Sequence, residues 1–422
     1  MALVQAGRKM KILIYSCHYA PEPIGIGKFT GETAGWLAAQ GHDVRVICAP
    51  PHYPYRQVAQ GHSANAYRRA MADGVDVLRC PLWISRRQSG TGRVLQYLSF
   101  SFFSAPPAIW WGLTWRPDVF LTVVPPISAA PAAIIGAALG GAPGWLHVQD
   151  FDIDAAFELN LLKSDAIRAM LLRVERWLMS CSGVVSSITP RMLDRLRAKR
   201  VKAELVQFPN WADLQAIHPL AGDNPLRAEL GIAEKDFVAL YSGNLGEKQG
   251  VDTLIDVARL LSDQPRIRIV IGGDGAGRAR LASRAQGLSN VQLIELQPLS
   301  RLNELLNLAD VHLLPQKASV ADLVMPSKLG GMLASGKPVV AGAAEGTQLA
   351  HEVADCGIAV GPEDAAAMAE AIRALFDDPQ ARARLGLAAR RNALAHWDKT
   401  AVLSALERRL GALATRPAKG AT

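Results

Sequence analysis

Short runs of residues that are apolar on both faces recur along the chain, at 11–16, 44–49, 75–79, 119–123, 145–148, 184–187 and 203–208. Runs such as ILIY, VRVI and FLTVV do not alternate with polar residues, as strands of a parallel sheet covered on both sides require. Between most of them the pattern turns helical, for example over 28–40, which ends at Gly41 in a C-cap position. The second half repeats the theme, with strands expected at 237–242, 267–272, 291–294, 310–314, 338–341 and 358–360 and helices between them. From Glu363 to about Leu413 the pattern is helical almost throughout, and TRPAKGAT reads as a frayed tail.

This alternation predicts the α/β class, with two Rossmann-like, doubly wound domains in tandem. The ligand is then expected in a cleft between them, at the C-terminal ends of their strands. A chain of 422 residues is too long for one ordinary core. The connection reads at FPNWADLQAIHP (208–219), which carries Pro209, Asn210 and Pro219. The expected divisions are 1–209 for the first domain, 210–395 for the second, and 396–422 for a C-terminal helix and tail.

Charge sharpens the picture. Residues 1–209 hold 23 Lys+Arg against 14 Asp+Glu, and residues 210–422 hold 23 against 24, so the whole excess of +8 lies in the first half. A basic half beside a neutral one suggests an anionic surface or an anionic substrate. The five cysteines are scattered with no C-x-x-C, which fits a reduced cytosolic compartment. The apolar stretch 94–115, VLQYLSFSFFSAPPAIWWGLTW, is long enough to raise a membrane span. Pro106 and Pro107 are expected to break it midway, into a buried helix pair or a hairpin dipping into the membrane interface.

Several segments carry candidate chemistry. In HYAPEPIGIGKFTGE, after the first strand, Gly25 and Gly27 permit close backbone approach at a helix start. The third glycine, Gly31, comes one place late for a dinucleotide fingerprint, and the acidic partner is missing. In SGNLGEKQG (242–250), Gly243 and Gly246 make the turn, Asn244 is a polar contact and Lys248 a charge. In MPSKLGGMLASGKPVV, Pro326 suits a first helical turn, with Ser327 and Lys328 where a phosphate would lie. Gly330, Gly331, Ala334, Ser335 and Gly336 offer a small-residue face that would let a nucleotide approach, or else a helix–sheet packing contact. Lysines 248 and 328 at two helix openings make a diphosphate cradle, since lysine is a mobile point charge.

HVQDFDIDA (147–155) ends a strand with His147, Gln149, Asp150, Asp152 and Asp154. The D-x-D spacing suggests a divalent ion, but with the lysine cradle no metal is required. His147, Gln149 and Asp150 are candidate cleft-lining contacts to sugar or acceptor, Asp150 being counted with the catalytic lysines. His147 reads equally as a satisfied core histidine. The basic run PRMLDRLRAKRVK (190–202) fits a solvated helix face, and no nucleic-acid partner is expected.

Taken in order, MKILIYSCHYAPEPIGIGKFTGE, WLAAQGHDVRVICAPPHYP, HVQDFDIDA, FPNW, YSGNLGEKQG and MPSKLGGMLASG resemble the WcaI-type glycosyltransferases of colanic acid assembly. These belong to glycosyltransferase family 4, retaining enzymes of GT-B fold. The resemblance spans about residues 10–410. It implies a cytoplasmic enzyme at the inner face of the plasma membrane. Such an enzyme transfers a sugar, fucose from GDP-fucose in this branch, from a nucleotide-sugar donor to a lipid-linked saccharide.

By position, the resemblance sets Gly27 near the donor phosphates and Asn244 with Lys248 at the diphosphate clamp, asparagine replacing the usual arginine. Ser327–Lys328 match the branch's P-S-K. The family's two glutamates fall at Leu323 and Gly331, leaving Asp322 as the candidate sugar contact. No cofactor is implied beyond the donor itself, and an anionic inner leaflet is the expected surface partner. The absent glutamates keep two rivals open: a nucleotide-sugar epimerase on the same fold, and a non-catalytic nucleotide-sugar-binding subunit.

Overall fold

The computed structural model describes residues 8–55, 57–85, 90–151, 153–154, 164–246, 249–318 and 325–415. The chain divides into two compact units, Met1–Pro209 with Thr400–Thr422, and Asn210–Lys399. Both carry parallel sheets covered by helices, as the apolar runs predict. Every strand expected from those runs is present, to within one residue at either end.

The first unit is built on eight strands: β1 (Lys11–Ser16), β2 (Asp43–Cys48), β3 (Arg68–Ala72), β4 (Val75–Arg79), β5 (Val119–Val124), β6 (Gly144–Val148), β7 (Val184–Ser187) and β8 (Glu204–Gln207). Their order is β3-β4-β2-β1-β5-β6-β7-β8, all parallel except β3. The sequence reading missed β3, because RRAMA is exposed along its whole length and shows no apolar pattern. Successive strands run from β1 toward β2 and β4 on one side and through β5 to β8 on the other. The β1/β5 boundary is therefore the topological switch point.

Among its helices, α1 (Gly25–Ala39) follows β1, and α2 (Gly90–Trp115) and α3 (Ala130–Gly140) flank β5. The expected break at Pro106–Pro107 does not occur, and α2 is one continuous helix of 26 residues. Pro107 offers no N–H to the carbonyl of Phe103. That oxygen instead accepts from the Tyr67 hydroxyl at 2.8 Å.

The helix is held from below by close packing on α3. A Cβ on Gly112 would come within 2.2 Å of the Gly136 carbonyl oxygen, and one on Gly140 within 2.4 Å of that of Gly112. Trp111 is only 6% exposed and stacks with the guanidinium of Arg45 at 5.2 Å, whereas Trp110 is 62% exposed. No described helix is long and apolar enough to cross a membrane.

The terminal helix Lys399–Ala414 belongs to this first unit from Thr400 on. It buries Leu403, Leu406, Leu410 and Leu413, one apolar stripe at helical spacing. The backbone N–H of Met10 donates to His42 Nδ1 at 3.2 Å, so the other ring nitrogen carries the proton and donates to Glu407 at 3.0 Å. All five cysteines are free thiols, four of them buried.

The second unit has six parallel strands: β9 (Phe237–Ser242), β10 (Ile267–Gly272), β11 (Val291–Ile294), β12 (Val311–Leu314), β13 (Val339–Gly342) and β14 (Gly357–Val360). Their order, β11-β10-β9-β12-β13-β14, puts the switch point between β9 and β12. Its core is lined by Tyr241, Leu254, Ile269, Val311, Val340 and Ile372, all fully buried.

Candidate functional site

In the second unit the loops that leave β9, β10 and β12 meet at the switch point. The chain turns out of β9 through Gly243 (φ +149°), and the neighbouring turn out of β10 uses Gly273 (φ +141°) and Gly275 (φ +149°). A Cβ on Gly273 would lie 1.9 Å from the Gly243 carbonyl oxygen, and one on Gly275 would lie 2.6 Å from Asn244 Oδ1. Only glycine permits this backbone-on-backbone seam. It is tied by Gly243 N–H to Gly272 O (3.0 Å), Leu245 N–H to Asp274 O (2.9 Å) and Gly277 N–H to Leu245 O (2.9 Å). The loop IGGDGAGR is thus the brace of the SGNLG turn. The buried Tyr241 hydroxyl fixes that turn further by donating to the Asn244 carbonyl at 2.7 Å. Asn244 keeps its own side chain exposed.

Lys328 reaches this seam from the far side. Its backbone precedes the short helix Leu329–Ala334, and its Nζ lies 3.9 Å above the Tyr241 ring. A Cβ on Gly243 would sit 3.3 Å from that Nζ. The residue as a whole is half-buried, but its Nζ is shielded from solvent and has no hydrogen-bond partner among the described residues. Burial pushes its pKa down to about 7. Among the described residues this shielded ammonium has the Tyr241 ring face beside it and no counter-anion. Ser327 next to it is exposed. Lys248 and Asp322 lie outside the described residues, and the helix after the SGNLGEKQG loop begins at Thr253, beyond Lys248.

The small-residue face expected to admit a nucleotide is packed on protein. A Cβ on Gly330 would meet Trp397 Cε3 at 2.5 Å, and one on Gly336 would meet Pro219 Cγ at 2.9 Å. Ser335 is fully buried, with Oγ 3.0 Å from His312 Nε2 and donating to Met332 O at 2.7 Å. These residues serve packing within the second unit, with Ser335 meeting the strand residue His312 and the two glycines meeting Trp397 and Pro219 outside the sheet.

In the first unit, His147, Gln149 and Asp150 stand at the C-terminal end of β6. His147 is 2% exposed, and both ring nitrogens are engaged, Nδ1 with Ser186 Oγ at 2.8 Å and Nε2 with the Gln149 amide at 3.0 Å. Burial pushes its pKa down to about 3. It is a neutral, satisfied core histidine that orients Gln149. Asp150 is half-buried just past the strand. Asp154 bonds Lys199 Nζ at 2.5 Å, and the buried Glu175 accepts from the same ammonium, so Asp154 is committed to structure. Asp152 lies outside the described residues.

A second cluster, which the sequence reading passed over, lies at the carboxyl end of β1. The Glu22 carboxylate is nearly inaccessible. One oxygen faces His18 Nδ1 at 2.9 Å, and the other accepts from the backbone N–H groups of His52 (3.1 Å) and Tyr53 (3.0 Å). Burial acts to raise the Glu22 pKa, but the His18 hydrogen bond, the two histidines and the His52 N–H outweigh it, and the net displacement is downward. This carboxylate explains Gly27, where a Cβ would lie 2.4 Å from Glu22 Oε2. Gly25, at φ +66°, makes the turn into α1 beside Tyr53.

His52 completes the network, with Nδ1 2.9 Å from Pro50 O and Nε2 2.8 Å from the Gln96 amide. Its pKa is pushed down to about 4, by burial and then by the neighbouring His18. Cys17, His18 and His52 each bring one donor atom within 4.8 Å of the others. However, three of the four histidine nitrogens are already committed to protein partners, so the group reads as a hydrogen-bonded network. A separate cavity of about 220 Å³ opens between Trp145, Phe208 and Leu406, and it is apolar apart from Gln207 and Arg409.

Two α/β units with parallel sheets, the second with a lysine over a double glycine turn at its switch point, fit the GT-B fold. Comparison with known proteins agrees. Residues 25–211 match the family described as glycosyl transferase 4-like domain, and residues 223–392 match glycosyl transferases group 1. The chain is 39% identical to the WcaI protein of Escherichia coli K12, described as a colanic acid biosynthesis glycosyl transferase, over 86% of this chain and 91% of that one. It therefore belongs to this glycosyltransferase family.

A glycogen synthase of Mycobacterium tuberculosis is 26% identical over 94% of this chain and 93% of its own. Among solved structures, sucrose-phosphate synthase from Thermosynechococcus elongatus superposes with a TM-score of 0.73 at 17% identity, covering 95% of this chain and 99% of that one. Anabaena HepE, solved in complex with UDP-glucose, gives 0.69 at 16% identity, covering 96% and 100%. At such identities these structures speak for the fold.

Proposed function

We propose that this glycosyltransferase is a retaining, metal-independent enzyme of exopolysaccharide biosynthesis. It moves a sugar, fucose from GDP-fucose in the first instance, from a nucleoside diphosphate to a lipid-linked saccharide at the cytoplasmic face of the plasma membrane. The observation that carries the donor half is the shielded, partnerless ammonium of Lys328 at the β9/β12 switch point. A diphosphate placed there supplies the missing counter-charge. In the transition state the same ammonium stabilises the negative charge growing on the leaving group, in a site where water competes poorly. Lys248, Asn244, Gly243 and Ser327 are the further groups assigned to this diphosphate, and Asp322 to the sugar. Asp150 and Gln149 are assigned to the acceptor side. No divalent ion is required where a lysine provides the charge, and a departing phosphate oxygen can take the acceptor proton.

Two outward surfaces of the first unit support the membrane side of this reading. On α2, Leu98, Phe102 and Trp110 are half or more exposed. On the helix Asp165–Ser180, Met170, Val174 and Trp177 make an exposed stripe, with Arg168, Arg173 and Arg176 also exposed. Apolar side chains interleaved with arginines suit an anionic leaflet, where each basic residue near the surface contributes roughly 1 kcal/mol.

The test is calorimetric binding of a panel of GDP- and UDP-sugars in EDTA, followed by transfer from the bound donor to a membrane lipid extract, with the anomeric configuration of the product read by NMR. Selective binding of one donor and a product of retained configuration are expected. Product formed without any lipid would indicate the epimerase, and donor binding with no turnover would indicate the non-catalytic subunit.

A further inference from the structure

We propose that His18 and Tyr53 form a saccharide subsite in the first unit, taking a neutral sugar through one hydroxyl and one apolar ring face. This inference rests on the glycosyltransferase reading and names a contact for its acceptor. The site lies at the carboxyl end of β1, beside the β1/β5 switch point, where open α/β sheets leave room for ligands.

The argument starts from the buried Glu22. Its carboxylate only accepts hydrogen bonds, so the proton in the 2.9 Å contact belongs to His18 Nδ1. In the neutral ring this fixes Nε2 as the atom with the lone pair. Nε2 makes no hydrogen bond to any described residue, in a side chain that is 11% exposed. His52 cannot serve in its place, since its Nδ1 faces Pro50 O and its Nε2 faces the Gln96 amide. The stacked His52 ring, 5.1 Å away, and the Glu22 carboxylate hold His18 in one orientation. The cluster thus presents a single, rigid hydrogen-bond acceptor, backed by a negative charge.

That arrangement selects its ligand by chemistry. An anion would meet a lone pair with a carboxylate behind it, which is repulsive, whereas a hydroxyl donates into it. Next to the acceptor stands the Tyr53 ring, 41% exposed and set edge-on to His18 at 5.8 Å. Its face is an apolar platform for the C–H side of a sugar. Gly25, whose Cβ would lie 3.5 Å from Tyr53 Cε1, leaves the turn beside the ring without a side chain. A hydroxyl acceptor beside an exposed aromatic face matches the two-sided polarity of a pyranose. The hydroxyl held here is one other than the attacking hydroxyl, whose proton leaves with the phosphate.

Two substitutions separate this role from mere support of Glu22. In His18→Asn the short amide can still donate to Glu22 from the Nδ1 position, but nothing occupies the Nε2 position. In His18→Gln the amide oxygen reaches the Nε2 position. The apparent KM for the lipid extract is expected to rise about tenfold in His18→Asn, the loss of one hydrogen bond. It should recover in part in His18→Gln, with donor KM unchanged in both. Tyr53→Ser should lose acceptor affinity.

A binding arm needs no turnover: saturation-transfer NMR with methyl glycosides on the full chain should show contact in wild type, loss in His18→Asn and retention in His18→Gln. Donor binding, and its loss in Lys328→Met, is read on the same preparations, so failure of the donor reading is seen separately. Wild-type behaviour of His18→Asn in either arm overturns the proposal, as does absence of contact with every glycoside in wild type. Stoichiometric zinc bound by wild type and lost in Cys17→Ser would make the cluster a metal site and also overturn it.

Discussion

Lys328 should be costly to the fold and indispensable to the site, and the two properties can be measured apart. Its ammonium is shielded and unpaired, and burial lowers its pKa from the ordinary 10.5 to about 7. For a base whose folded pKa is depressed, the penalty is full below the folded value and fades as pH rises toward the unfolded one. At 1.36 kcal/mol per pH unit the gap corresponds to about 5 kcal/mol opposing the folded state at pH 6, of which roughly half is gone by pH 9.

Lys328→Met keeps the length and the contact with the Tyr241 ring but removes the charge. It is expected to stabilise the second unit by up to about 4 kcal/mol at pH 6, and by distinctly less at pH 9. Urea unfolding of the full chain at both pH values, followed through the transition that responds to the substitution, gives the comparison. The same variant should lose binding to every nucleotide sugar that wild type binds. A variant less stable than wild type at pH 6, or an increment that does not change with pH, would refute the claim that this ammonium waits for a counter-anion.

Wild-type donor affinity should fall as pH rises above 7, since binding draws a proton onto Lys328 while a nucleotide sugar's phosphates do not titrate there; calorimetry in buffers of different ionisation enthalpy reads the proton uptake. Gly27→Ala should lower stability by about 1–3 kcal/mol in thermal unfolding, because its methyl would press on the buried Glu22 carboxylate. Gly330→Ala should cost a similar amount, its methyl meeting the Trp397 ring, and should leave donor affinity intact at saturating folded fraction. Sedimentation with anionic vesicles at low salt should fall in the double variant Trp110→Ser/Trp177→Ser, whereas binding equal to wild type would remove the helical surfaces from the membrane reading.

The strands were legible because a parallel sheet buries both faces, which leaves short apolar runs bounded by turn residues in the sequence. The failures lie where packing overrides a local rule. Pro106 and Pro107 fit inside α2 because the glycine contacts with α3 hold the helix and Tyr67 satisfies the stranded Phe103 carbonyl. The edge strand Arg68–Ala72 has no apolar signature, being exposed on both faces. Lys328 was found from its place after Pro326 and Ser327. The His18–Glu22–His52 network was not, because its members come from two loops and from α2, 30 to 74 residues apart for Glu22–His52 and Glu22–Gln96. The signal available was Glu22 itself, an acidic residue between two prolines just before a glycine turn.

The two switch points solve the same topological problem with opposite electrostatics. Each stands where the strand order reverses and the loops diverge, so each sheet offers a crevice there. In the first unit the glycine turn is occupied from within: Glu22 fills the space beside Gly27 and takes the backbone N–H groups of His52 and Tyr53. In the second unit the glycine turn is braced by backbone hydrogen bonds and the Tyr241 hydroxyl, and the Lys328 ammonium beside it has no hydrogen-bond partner among the described residues. The second therefore draws an anion, although the basic excess of the sequence lies in the first half. Inorganic pyrophosphate, which lacks both sugar and base, separates local from global charge. It should protect the second unit's unfolding transition and leave the first unit's unchanged, with the protection gone in Lys328→Met. Protection of the first unit instead would mean that net charge, not the arrangement at the switch point, governs where the diphosphate binds.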